Sequence, residues 1–356
     1  MHLDGITLQH FRNAQQRTFF FPQQTTVVLG QNAMGKTSII EAIHLLSTGE
    51  SFRAEQVLEM VSLGAELGRV KAKLQTGEEP LELEVMVTRG VVNDQRVQSC
   101  IYTVNGVKRL KKNFAGKFFV VTFRPEDLRL IEGSPSRRRQ FVDVVLSVTD
   151  REYAASLKTY EESLKKRNRL LHYIKEGSQP RSVLTFWTNA ILKHGEIMQE
   201  KRRAFFGFFA SVMFPTEFRI EYVPSVISAA RLSQYADQEI AAGHTLIGPH
   251  KDDFVVQLTV SGETVPVAQY GSRGQQRLAV LWLKMVELQY LRTQSGVEPI
   301  LLLDDILSEL DDAHRQDVFS LLKNRQSVVT TTEEHVITEL RLALNDDDKK
   351  IDVIRL

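Results

Sequence analysis

The chain has 356 residues, room for two domains or for one domain carrying a large insertion. It is 42% apolar and 25% charged with a formal net charge of +1, an ordinary soluble composition in which any nucleic-acid contact must rest on local patches. The single cysteine, Cys100, excludes an internal disulfide and a four-thiolate metal site, and it suits a reducing compartment. No apolar run approaches the ~18 residues of a membrane span. Met1-His2-Leu3-Asp4 lacks the basic-then-apolar pattern of a signal peptide, so a cytoplasmic protein without membrane contact is expected.

Leu3–Phe11 alternates loosely and reads as a strand that Arg12-Asn13 closes. Thr25-Thr26-Val27-Val28-Leu29 is a short buried-strand pattern running into Gly30-Gln31-Asn32-Ala33-Met34-Gly35-Lys36-Thr37. That octapeptide has the G-x-x-x-x-G-K-T spacing of a P-loop, and Ile39, Ile40, Ile43 and Leu46 then fall on one helical face. The chemistry explains the spacing. Glycines let backbone N–H groups curl around a phosphate chain, and the following helix points its positive end at the anion. Lys36 can reach the β- and γ-phosphates of a nucleotide, and the Thr37 hydroxyl can ligate Mg²⁺. Arg53, in Ser51-Phe52-Arg53 beyond the helix, has three readings: a phosphate contact, a DNA contact, or a surface arginine. Period-two segments follow over Leu67–Leu74 and Leu81–Val87. Asn105-Gly106 between Ile101–Val104 and Val107–Leu110 calls for a type I′ hairpin, and Phe118–Phe123 is a further strand.

After about residue 125 the pattern changes. Ser134 is a cap candidate with Pro135 at the first helical position, and helices are expected over about 135–147, 150–175 and 182–213. Phe205, Phe206, Phe208 and Phe209 read as core. Strands return at Phe218–Val223, Phe254–Val260 and Val265–Ala268. Asp346-Asp347-Asp348 reads as a solvated loop.

A P-loop needs a second carboxylate for Mg²⁺. Ile300-Leu301-Leu302-Leu303-Asp304-Asp305 supplies it as a buried strand ending in two acids, Asp304 for the metal shell and Asp305 for the general base or water-orienting position. Roughly 270 residues separate Lys36 from these acids, so the nucleotide-binding head is expected to be split by an insertion. The expected division is residues 1–125 and 244–356 for the head and 126–243 for the inserted helical lobe. Ser272-Arg273-Gly274-Gln275-Gln276-Arg277 opens a periodic helix, and the serine cap with the glycine makes a second anion site.

The S-x-G-Q sequence of Ser272, Gly274 and Gln275 resembles the signature motif of ABC-type ATPases. In that superfamily two heads sandwich two ATP molecules and the motif binds the γ-phosphate held by the partner's P-loop. Ser308-Glu309-Leu310-Asp311 resembles its D-loop. Val328-Val329-Thr330-Thr331-Thr332, read as the last strand, carries threonine where a switch histidine often stands, and threonine supplies no cation.

Over essentially its whole length the chain resembles the RecF family of bacterial recombination mediators. The residues that carry this are Phe11-Arg12-Asn13, the P-loop with Glu41-Ala42-Ile43, Ser51-Phe52-Arg53, Phe123-Arg124-Pro125-Glu126-Asp127-Leu128, Gly133 to Arg139, Gly248-Pro249-His250-Lys251-Asp252-Asp253, Ser272 to Arg277, and Asp304 to Asp311. Arg124 and Lys251 depart from the commoner serine and arginine. The resemblance implies an α/β ABC-type P-loop ATPase head with an inserted helical lobe. It also implies ATP and Mg²⁺ as cofactors, an ATP-dependent homodimer, slow DNA-dependent ATP hydrolysis, DNA binding, and work with RecR and RecO in loading RecA at single-strand gaps. A nucleotide-gated clamp or scaffold whose hydrolysis is incidental is the alternative.

The basic clusters are open to two readings. Arg137, Arg138 and Arg139 lie in a first helical turn, where cations oppose the macrodipole, so they pair with Glu126, Asp127 and Glu132 or meet a phosphate. Lys108, Arg109, Lys111 and Lys112 form a phosphate-contact patch or a solvated face. His250, Asp252 and Asp253 have metal-ligand chemistry, but Gly248-Pro249 before them reads as a turn.

Overall fold

The computed structural model describes residues 1–22, 24–77, 79–212, 218–260, 262–310, 312–344 and 351–356. They form two compact units, residues 1–127 with 287–356, and residues 128–286.

The first unit is built on two large sheets, beside a two-stranded ribbon of Val91–Val92 and Gln95–Arg96. Five strands run parallel in the order Val120–Phe123, Ile300–Asp304, Ser327–Thr331, Thr25–Leu29, Ile351–Arg355. The three inner strands are near-continuous apolar or threonine runs, the pattern of strands covered on both faces. The six-stranded antiparallel sheet begins with the hairpin His2–Phe11 and Ala14–Phe20, and its remaining strands are Leu67–Gln75, Pro80–Thr88, Cys100–Val104 and Val107–Arg109. The helix Lys36–Thr48 shares one apolar cluster with residues of both sheets. Ile39, Ile40, Ala42, Ile43, Leu45 and Leu46 are each at most 1% exposed, so this helix is buried all round rather than on one face.

Asn105 and Gly106 have φ of 49° and 74°, the double positive φ of the expected hairpin turn. Two strands of these sheets were not anticipated. Ala14–Phe20 is a polar edge strand that pairs across the Arg12-Asn13 turn, so that turn closes a hairpin rather than ending a lone strand. Ile351–Arg355 pairs with the P-loop strand, so the strand expected to be last, here Ser327–Thr331, is an inner one. Asp346-Asp347-Asp348 lie outside the described residues.

The second unit contains the helices Pro135–Thr149, Arg151–Lys175 and Thr185–Phe208 and an antiparallel sheet of Phe218–Val223, Asp253–Val260 and Glu263–Pro266. Phe205, Phe206 and Phe209 are core, packed mostly edge-on among themselves, with Phe206 stacked on Tyr222 and in contact with Phe254, and Phe209 edge-on to Trp282. These rings tie the sheet and the start of the helix Arg273–Ser295 to the helical lobe. The unit therefore runs from Leu128 to Val286, whereas the chain was expected to return to the head at 244. The strand expected at Val265–Ala268 ends at Pro266, and Val267–Tyr270 is a helical turn. Ser134 stands at the N-cap, yet its hydroxyl bonds that of Ser136 rather than a helix N–H.

Candidate nucleotide site

The P-loop is held from several sides. The Gly30 N–H donates to the Thr331 carbonyl at 3.2 Å, and Ser38 and Ile39 donate to the Gly35 carbonyl. Ala33 and Gly35 have φ of 67° and 102°, and a Cβ on Gly35 would lie 2.9 Å from Asn13 Oδ1. The positive φ calls for glycine at that position, and any Cβ there would also push on the Asn13 amide. Gln31, Asn32, Ala33 and Met34 are exposed. The helix begins at Lys36, so its first N–H groups, which have no intrahelical acceptors, open beside the loop. Lys36 is 6% exposed, and its Nζ donates to the carbonyls of Gly30 and Gln31 at 2.7 and 3.1 Å. The ammonium is thus already curled over the loop.

The two acids arrive on the neighbouring strand. Thr37 Oγ1 donates to Asp304 Oδ1 at 3.1 Å, and Thr330 Oγ1 donates to the same oxygen at 2.8 Å. Burial pushes the Asp304 carboxyl above its ordinary range, the Thr330 and Thr37 hydrogen bonds oppose this, and the charges of Glu126 and Asp305 add to it. Asp305 has φ of 52°, a left-handed conformation costing on the order of 1 kcal/mol for a residue with a side chain. Its Oδ1 is buried without a hydrogen-bond partner.

This donor set fits Mg²⁺ and a polyphosphate. A hydroxyl and a carboxylate are hard oxygen ligands already in contact, and a desolvated carboxylate beside other acids is what a divalent cation stabilises. Lys36, the loop amides and Thr37 would hold the phosphates, and Thr37 with Asp304 would hold the metal, which neutralises charge on the phosphate oxygens when bound. The orphaned Asp305 oxygen would be left to accept a proton or orient water.

Residues outside the P-loop build the walls. Arg12 Nε and Nη2 grip the carboxylate of Glu41, which is 0% exposed, and the Ser51 hydroxyl donates to the same group. Asn13 Nδ2 donates to the Ala33 carbonyl at 3.2 Å. The N–H groups of Arg53 and Ala54 donate to Ser51 Oγ, and Arg53 lines the same cleft as Asn13, Lys36, Thr37, Asp304 and Asp305. The guanidinium of Arg124 lies 4.2 Å over the Phe52 ring and pairs with Asp127 at 2.8 Å. Sequence reasoning gave Glu41, Thr330 and Asn13 no role of their own. A glutamate between Ile40 and Ala42, inside the apolar run of this helix, was the available signal, because a charge buried there must be paired.

Ser272, Gly274 and Gln275 belong to the second unit. Gln275 N–H donates to Ser272 Oγ at 3.2 Å, and Ser272 N–H donates to Gln275 Oε1 at 2.8 Å, a reciprocal cap. The exposed hydroxyl keeps its proton for a further acceptor, and Gly274 leaves the approach open.

Two of the three arginines in the run, Arg138 and Arg139, are paired internally, though not to the acids anticipated, and Arg137 is exposed. Arg138 binds Asp253 with two nitrogens at 2.6 and 2.8 Å and Arg139 donates to the Asp252 carbonyl, while Asp127 is taken by Arg124 and Glu132 by Arg273. Asp252 is a buried hub that accepts from Gln199, Arg202, Tyr222 and the Ser225 N–H. His250 uses both ring nitrogens, on the Tyr160 hydroxyl and the Thr245 carbonyl. The segment Gly248 to Asp253 thus ties the second unit together. Lys108, Arg109 and Lys112 are exposed, and Lys111 pairs with Glu50.

A family model described as RecF/RecN/SMC N terminal domain matches residues 2–345. The protein named DNA replication and repair protein RecF from Moorella thermoacetica is 35% identical over 346 residues, covering 94% of this chain and 90% of that protein. The chain belongs to the RecF family. The RecF protein of Bacillus cereus strain G9842 is 32% identical, with 93% and 92% covered. A solved RecF structure, described as the recombination mediator protein RecF with ATP in the RecFOR pathway, superposes with a TM-score of 0.84 at 29% identity, over 94% of this chain and 92% of that one. The RecF fold is that of an ABC-type ATPase head, with the P-loop and the acidic strand in one mixed α/β unit. Among the described residues no helix is long and apolar enough to cross a membrane.

Proposed function

We propose that this protein is an ATP-dependent DNA-binding recombination mediator of the RecF type. It acts at single-strand gaps and works with RecO and RecR in loading RecA during DNA repair and replication restart. The observation that carries the reading is the convergence of Lys36, Thr37, Asp304 and Asp305 at one cleft in a chain that aligns with RecF proteins over nine-tenths of its length. ATP with Mg²⁺ binds at that cleft and hydrolysis is slow and DNA-dependent. Two heads close on each other, with Ser272, Gly274 and Gln275 of one meeting the γ-phosphate held by the other.

The test is binding to gapped, duplex and single-stranded DNA across a salt series, with and without ATP and Mg²⁺, alongside ATPase rates. ATP-dependent affinity for gapped DNA with DNA-stimulated hydrolysis supports the mediator. ATP-dependent binding with no stimulation shifts the reading to a nucleotide-gated clamp, and no dependence on ATP rejects both.

A further inference from the structure

Thr330 is the penultimate residue of the inner strand Ser327–Thr331 and is 0% exposed. Its hydroxyl has one proton to give and lone pairs to receive. The proton has two acceptors in range, Asp304 Oδ1 at 2.8 Å and the Leu303 carbonyl at 3.5 Å, and the shorter, charged contact takes it. The same oxygen accepts the Asp305 N–H at 3.0 Å, beside the Thr330 carbonyl at 3.2 Å. One buried hydroxyl therefore touches both acids. It holds the Asp304 oxygen that also meets Thr37, and it pins the peptide of Asp305 at φ 52°. The next residue, Thr331, accepts the Gly30 N–H through its carbonyl, so the same strand end sets the first P-loop glycine against the acids.

We propose that Thr330 is a positioning residue for ATP hydrolysis, orienting Asp304 and Asp305 together through a single hydroxyl. This rests on the ATPase reading of the cleft. A core-filling role would be met equally by valine, which has the same shape and strand preference. A buried hydroxyl costs free energy unless it is hydrogen-bonded, and here its two short partners are the Asp304 carboxylate and the Asp305 main-chain N–H.

The test compares wild type with Thr330→Val and Thr330→Ser. With valine, kcat falls by about 10- to 100-fold while KM for ATP stays within about threefold, the split expected when ligands are misplaced rather than binding lost. Amide hydrogen exchange over residues 301–308 of the nucleotide-free protein becomes faster. Serine keeps the hydroxyl and restores both properties. Thr330→Ala serves the same comparison if the valine protein does not fold. Wild-type kcat in the valine variant, a fall that serine does not rescue, or unchanged exchange overturns the proposal. If wild type itself neither binds nor hydrolyses ATP, the functional reading falls, and hydrogen exchange still decides whether Thr330 pins Asp305.

Discussion

Arg12 Nε and Nη2 donate to the two oxygens of Glu41 at 2.8 and 2.6 Å, and Glu41 is fully buried one turn after Thr37 in the P-loop helix. The pair links the N-terminal hairpin turn to the helix that presents the phosphate site. Through the Ser51 hydroxyl it also fixes the segment carrying Arg53. Two parallel charge-assisted bonds make it a geometric constraint as well as an ion pair.

Removing one partner strands the other charge in the core. Arg12→Ala is expected to cost about 3–5 kcal/mol of stability. Urea denaturation checks this, and a midpoint within error of wild type would show that Glu41 is rescued by protonation or by water.

Lys36→Ala removes an ammonium that already lies over the loop carbonyls. Tight ATP binding and ATP-dependent DNA binding are expected to disappear together while the fold persists. A fluorescent-nucleotide titration beside a DNA-binding assay measures both, and retained ATP-stimulated DNA affinity would contradict the assignment.

Asp305→Asn keeps the shape but loses the carboxylate whose Oδ1 is unpartnered. ATP affinity is expected to be retained, because Asp304 and Thr37 are untouched, with hydrolysis slowed by about 10²-fold or more. Single-turnover kinetics separate the two. A wild-type rate would move attention to Glu309.

Ser272→Arg replaces the cap of the signature helix with a bulky cation. The lost Gln275 N–H contact costs about 1 kcal/mol, and ATP binding to the isolated head stays near normal. ATP-dependent dimerisation is expected to vanish in light scattering. A variant that still dimerises with ATP would place the motif's action within its own chain.

His250 gives the second unit a pH dependence. Burial lowers its pKa to about 4 from an ordinary value of 6.5, and Tyr160 and Thr245 satisfy the neutral ring. A depressed histidine stabilises the fold in its neutral form. That stabilisation is full above pH 6.5 and is lost as pH falls through 4, a change on the order of 3 kcal/mol. Urea midpoints of wild type and His250→Gln are expected to differ most near pH 7.5 and to converge toward pH 4. A constant gap would assign the effect to other groups.

The sequence by itself determined the local chemistry. The P-loop spacing, the apolar run ending in Asp304-Asp305 and the Asn105-Gly106 turn are each readable because backbone conformation and hydrogen bonding over a few residues dictate the residue types. The same locality made the family resemblance legible, since its motifs are short runs. What only the tertiary structure decided is pairing between distant segments. Arg138 meets Asp253 rather than nearby Glu132, Thr330 reaches both acids, and Ile351–Arg355 extends a sheet begun at Thr25. An ion pair or a ladder bond forms with whichever complementary group the fold brings within about 3 Å, and separation along the chain carries no trace of that choice. The division of the chain followed the same physics. The segment after 244 joined the helical lobe because Phe206, Phe209 and Phe141 met Phe254 and Trp282, and apolar burial follows whichever rings the fold packs together.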